Sequence, residues 1–218
     1  MELKYIILII FGAVSVVYLI TLSFKPALFQ FILKGCLMPL VLCVYITSAG
    51  TENIYWPVVF ALVFAWFGDI LLVRITSILW FKLGLASFLI GHIFYCIAMY
   101  GYIVPFNVPV LLISAAAACC FGVITFRVVR PGKQMRVPVI AYETIILIMA
   151  IFALQLFLSQ YIAGGSVFGI LVFAGSLCFV VSDTLLALRT FRRIRIYFAV
   201  MLTYIAAQLL ITLGFCMV

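Results

Sequence analysis

Lys34, Asp69, His92, Glu143 and Asp183 are ionisable side chains embedded in sequence that is otherwise apolar. A charge in hydrocarbon is costly unless it faces protein or water, so such groups are rare in membrane spans and mark polar sites. Paired carboxylates with an ammonium nearby are the equipment of acid–base chemistry, because one carboxyl can be held protonated while another stays ionised. The same set serves a proton-coupled carrier. A metal is not expected, since a single histidine makes a poor zinc shell even with three carboxylates. No cofactor is expected either.

The elements that must position these groups are membrane helices. The chain has 218 residues, of which 69% are hydrophobic and 8% charged, with a mean hydropathy of +1.45. That composition excludes a soluble domain and predicts an all-α, polytopic transmembrane bundle forming a single integral membrane domain over 1–218. The strict alternation of an outer-membrane barrel is missing from its apolar runs. Eight spans of bilayer length are expected near 5–23, 27–48, 54–73, 83–104, 107–129, 138–160, 164–188 and 196–217. Pro26, Pro57, Pro105, Pro109, Pro131 and Pro138 fall at span ends or in loops. Pro39 alone is interior, and it should free the carbonyl of Gly35 and kink the second span beside Lys34. The first span is long for a signal peptide and is read as a retained helix.

Basic residues orient the bundle. Lys25, Arg74, Lys82, Arg127, Arg130, Lys133, Arg136, Arg189, Arg192, Arg193 and Arg195 gather on one side, eleven against Lys4 on the other. The positive-inside rule then puts both termini on the non-cytoplasmic side. The net charge of +8 is thereby topological, with anionic lipid head groups as a further partner and no nucleic acid expected. In this orientation Lys34, Asp69, His92, Glu143, Asp183, Tyr204 and Gln208 lie roughly 7–20 Å from the cytoplasmic boundary at 1.5 Å rise per residue. One cavity in the inner half of the bundle would explain that common depth.

The seven cysteines (36, 43, 96, 119, 120, 178 and 216) lie in spans without a CxxC pair and read as packing residues. Ser87-x3-Gly91 and Gly165-x3-Gly169 read as close-packing spacings. Phe67-Gly68-Asp69-Ile70-Leu71-Leu72 echoes Val181-Ser182-Asp183-Thr184-Leu185-Leu186 four spans later, which suggests a four-plus-four parallel repeat.

Five segments occur in order along the chain: Gly68-Asp69-Ile70-Leu71-Leu72, Gly84-Leu85-x2-Phe88-x3-His92-x2-Tyr95, Tyr142-x6-Met149-Ala150, Gly175-x3-Phe179-x2-Ser182-Asp183 and Met201-x2-Tyr204-x2-Ala207-Gln208. Together they resemble the successive motifs of the YhhN-type lysoplasmalogenase family. The resemblance implies an eight-helix membrane hydrolase that cleaves the vinyl-ether bond of lysoplasmalogens, releasing a fatty aldehyde and glycerophosphoethanolamine or glycerophosphocholine. For that chemistry Asp69 and Asp183 would be the catalytic pair, one as acid and the other as anion, with His92, Tyr95, Tyr142, Ser182, Tyr204 and Gln208 supporting or orienting them. Lys34 and Glu143 would be head-group or charge partners, Glu143 lying beside the Tyr142 motif and outside it. In one departure, Lys34-Gly-Cys-Leu-Met-Pro39 separates a lysine and proline that the family places close together. The substrate would be a lysophospholipid entering from the cytoplasmic-side leaflet. The membrane would be cytoplasmic in a bacterium, or of the endoplasmic-reticulum type in a eukaryote. The other readings are a proton-coupled small-solute or lipid carrier, reached from both sides in turn, and a non-catalytic lipid sensor or scaffold that would tolerate loss of either aspartate.

Overall fold

The computed structural model describes residues 2–22, 27–50, 52–73, 77–103 and 105–218. Backbone amides in hydrocarbon find no water to bond, so the chain satisfies them within helices. These are α1 (Leu3–Thr21), α2 (Ala27–Ala49), α3 (Trp56–Val73), α4 (Ile78–Tyr100), α5 (Val108–Val129), α6 (Arg136–Ile162), α7 (Val167–Arg192) and α8 (Tyr197–Phe215). A 3₁₀ turn at Lys133–Met135 precedes α6, and no strand occurs among the described residues. Seven of the eight helices are long and apolar enough to cross a bilayer, while the described apolar stretch of α3, Trp56–Leu72, is shorter. The protein is an all-helical, multi-pass integral membrane protein.

Each expected span coincides with a helix, but several ends differ. α4 starts five residues before the expected 83, so Lys82 lies inside it rather than ahead of it. A lysine near a helix end can extend its ammonium to the interface, so the charge does not stop the helix. α6 starts at Arg136 and takes Pro138 into its first turn, where a missing N–H costs nothing. α7 continues to Arg192, four residues past the expected 188. Gly165 is not a packing residue: it sits in the loop before α7 with φ +81°, a left-handed conformation that favours glycine. The expected ends at Ser23 and Val104, and the positions of Lys25, Pro26 and Arg74, lie outside the described residues.

The chain divides into two compact units, Met1–Phe94 and Tyr95–Val218. In the first, α1 packs on α2 and α2 on α3. Small residues bring α3 and α4 together. A Cβ added to Gly68 would come within 2.5 Å of the Phe88 ring, and one on Gly91 within 3.1 Å of the Ala61 carbonyl. Ser87 Oγ donates to the Phe64 carbonyl at 2.6 Å, so the Ser87–Gly91 spacing packs as expected. Pro39 is interior to α2, and the Gly35 carbonyl that it cannot serve accepts the Trp66 indole N–H of α3 at 2.8 Å.

In the second unit, α7 and α8 approach most closely through glycines. A Cβ on Gly175 would meet Ile211 Cγ1 at 2.7 Å and the Ala207 carbonyl at 3.0 Å, and one on Gly214 would meet Val172 at 2.7 Å. α6 packs on α7, and α5 on α6. α5 opens with Asn107, whose Oδ1 accepts from Val110 N at 3.1 Å, with Pro109 in the first turn. The Gln155 amide of α6 clamps the same residue twice: its Oε1 accepts from Asn107 N and its Nε2 donates to the Asn107 carbonyl, each at 3.0 Å. Val129, at the far end, is the buried residue of α5. Cysteine packing holds only for some positions. Cys96 is buried, whereas Cys36, Cys43, Cys119 and Cys120 are exposed on outward faces, which in a bilayer means lipid.

Candidate functional site

The ionisable residues group by unit. In the first, Lys34 is seven residues into α2 and Asp69 four residues from the end of α3. Lys34 Nζ lies 3.0 Å from Asp69 Oδ1, with side chains 9% and 2% exposed. A buried ammonium facing a buried carboxylate neutralises a charge that would otherwise be very costly in this medium. Trp66, one turn before Asp69, binds the carbonyl next to Lys34. α3 therefore grips the Pro39-weakened turn of α2 at two points, one ionic and one through a hydrogen bond. The wide lysine–proline spacing is accommodated because Trp66 serves the carbonyl that the proline leaves open. The sequence reading had no role for Trp66; its position one turn from Asp69 was the available signal.

His92 is buried in α4, with Nδ1 2.6 Å from the Phe88 carbonyl. A carbonyl only accepts, so Nδ1 carries a proton. Phe88 thus orients His92 through its backbone while its ring fills the space over Gly68, next to Asp69.

In the second unit, Tyr142 OH donates to Asp183 Oδ2 at 3.1 Å, joining α6 to α7. Both residues line a pocket formed by α5, α6 and α7, and Glu143 lines it too. The remaining polar lining is Thr125 and Thr184, set among aliphatic and phenylalanine side chains. The sequence placed Glu143 and Asp183 at one depth, and they share one pocket. Tyr142 points inward and Glu143 is its chain neighbour, so consecutive residues reach the same space from different sides of α6. Glu143 also lines a groove between α5 and α6 of about 560 Å³, together with Arg127, Gly122 and Thr144.

The other expected supporting residues have structural partners outside that pocket. Ser182 is buried and its Oγ donates to the Val200 carbonyl at 3.1 Å, tying α7 to α8. Tyr95 OH donates to Gln208 Oε1 at 2.6 Å. The Phe179 ring lies 6.3 Å from Tyr95 and 5.8 Å, edge-on, from Tyr204. Tyr95, Phe179, Tyr204 and Gln208 therefore make one aromatic and hydrogen-bonded layer in which α7 and α8 are fixed around Ser182, one residue from Asp183.

A sequence model of the YhhN family matches residues 29–215. No curated protein and no solved structure matches the chain.

Proposed function

The chain belongs to the YhhN family, and from that premise we propose that it is a lysoplasmalogenase, hydrolysing the vinyl ether of a single-chain phospholipid taken from the cytoplasmic-side leaflet. The observation that carries this reading is the extent of the family match, which spans every polar residue from Lys34 to Gln208. The reaction begins with protonation of the alkene carbon remote from oxygen, giving an oxocarbenium ion. Water adds to that cation and returns a proton, and the hemiacetal collapses by breaking its bond to the glycerol oxygen. The products are a fatty aldehyde and the glycerophospho-alcohol.

Such a reaction needs a carboxylic acid near the alkene and an anion that stabilises the cation and receives the proton of the attacking water. We divide these roles by the partner that each aspartate meets. Asp183 meets a neutral phenol in a largely apolar pocket and is assigned as proton donor, with Tyr142 fixing its carboxyl. Asp69 meets an ammonium and is assigned as the anion, with Lys34 holding its position. His92 supports the Asp69 side through Phe88, and Tyr204 the Asp183 side through the Phe179 layer.

Purified protein incubated with a lysoplasmalogen should release free aldehyde and glycerophosphoethanolamine in equal amounts; absence of aldehyde in folded, reconstituted protein rejects the proposal. A saturated alkyl lysophospholipid of equal chain length should bind and compete without reacting, because only a double bond conjugated to oxygen yields the stabilised cation. An ester lysophospholipid should survive, since no serine or cysteine nucleophile stands in a recognisable motif with a base. Fatty acid release from the ester at a rate comparable to aldehyde release would identify a lysophospholipase instead.

A further inference from the structure

The α5–α6 groove runs along α5 from Arg127 to Ala115, about 18 Å at helical rise. Its walls are apolar for most of that length, and α5 shows exposed aliphatic side chains such as Leu112, Val123 and Ile124 on its outward side. One end is basic: Arg127 lines it, and the connection to α6 adds exposed Arg130, Lys133 and Arg136. Five residues deeper along α5, about 7.5 Å, Gly122 lets α5 approach Glu143 closely. A Cβ on Gly122 would lie 3.3 Å from Leu147 Cδ1 and 3.9 Å from Glu143 Oε1. Oε1 is buried and has no hydrogen-bond donor among the described residues: the nearby Thr125 hydroxyl gives its proton to the Phe121 carbonyl at 2.9 Å. A buried carboxylate oxygen of this kind needs a donor.

A cation, then an acceptor, then an apolar track is the order of phosphate, free hydroxyl and hydrocarbon chain in a lysophospholipid. We propose that the α5–α6 groove seats this lipid, with Arg127 on the phosphate, Glu143 Oε1 accepting from the free glycerol hydroxyl, and the chain lying along α5 toward Ala115 and Ile151. The identity of the lipid rests on the lysoplasmalogenase reading. Because Glu143 also lines the Asp183 pocket, the hydroxyl contact brings the adjacent ether to the wall that the groove and the pocket share. Glu143 then determines specificity: a two-chain plasmalogen has that oxygen esterified, offers no donor, and brings a second chain.

The test is binding of two unreactive lipids, a 1-O-alkyl lysophosphoethanolamine and its counterpart lacking the 2-hydroxyl, to full-length protein in nanodiscs. Wild-type protein should prefer the hydroxylated lipid by ~10–100-fold, the scale of a hydrogen bond to a charged acceptor. Glu143→Ala should lose most of that preference, Glu143→Gln should keep part of it through its amide oxygen, and Arg127→Gln should weaken both lipids alike. A photoreactive group at the chain end should crosslink near Ala115 or Ile151. Equal wild-type affinities, an undiminished preference in Glu143→Ala, or crosslinks confined to other helices would each overturn the proposal. If Glu143→Ala does not fold, the wild-type preference and the crosslinked positions still decide. Neither lipid reacts, so the result is independent of turnover. Hydroxyl preference without aldehyde release from a lysoplasmalogen would remove the hydrolase reading and leave this seat in place; aldehyde release without the preference would do the reverse.

Discussion

Asp69 and Asp183 have different neighbours, and substitutions should expose the difference. Asp183→Asn keeps the shape and the Tyr142 contact but cannot deliver a carboxylic proton; Asp69→Asn keeps the shape but carries no charge. Each should lower aldehyde release by ~10²–10⁴-fold, the usual contribution of a general acid or base, in protein that still elutes as a folded species. Near-normal turnover in either variant would remove that residue from the mechanism. Stability separates the pair further. Lys34→Met leaves the Asp69 carboxylate buried without its ammonium and should cost about 3–5 kcal/mol, while Lys34→Met combined with Asp69→Leu should cost less than the single change. Thermal unfolding in detergent measures both, and an unaltered midpoint for Lys34→Met would mean that the ion pair contributes nothing. The identities of these residues were legible in the sequence because ionisable groups stand out against apolar helix. Their partners were not, because a contact such as Trp66 to Gly35 or Tyr142 to Asp183 depends on the rotation of two helices that sequence spacing leaves free.

At the level of elements, glycine determines how closely helices approach. A side chain at Gly175 would press on the backbone of α8 as well as on Ile211. Gly175→Val should therefore destabilise the protein by about 1–3 kcal/mol, the scale of overpacking. The loss should appear as a lowered unfolding midpoint, and a midpoint equal to wild type would show that α7 and α8 separate without cost. Helix existence was readable from apolar length, and helix ends were not. Lys82 and Pro138 look like boundaries to a reading based on composition, yet a lysine can reach the interface from inside a helix and a first turn tolerates proline. Gly165 and Gly169 have the spacing of a packing pair, but only at Gly169 would an added Cβ meet a neighbouring helix, 3.1 Å from Phe157 Cα. A four-residue spacing counts only when both residues are in the same helix.

For the whole molecule, the distribution of basic residues predicts both termini on the non-cytoplasmic side. Reporter fusions or cysteine labelling at each end should find them there, and a cytoplasmic C-terminus would reverse the placement of Arg127, Arg130, Lys133 and Arg136 and supply the groove from the other leaflet. The attachment of α5 has a further consequence. The helix is fastened at one end by the reciprocal amide bonds of Gln155 and at the other by buried Val129. Along its middle, lipid tails replace protein atoms with little loss, because hydrocarbon has no hydrophobic aversion to lipid. Between those ends α5 touches α6 and α7 along one side through Phe121, Gly122 and Thr125, and its other side is open to lipid. Substrate loading should then speed up or slow down with acyl-chain packing in the host membrane, while the Tyr142–Asp183 contact, made between α6 and α7, is kept.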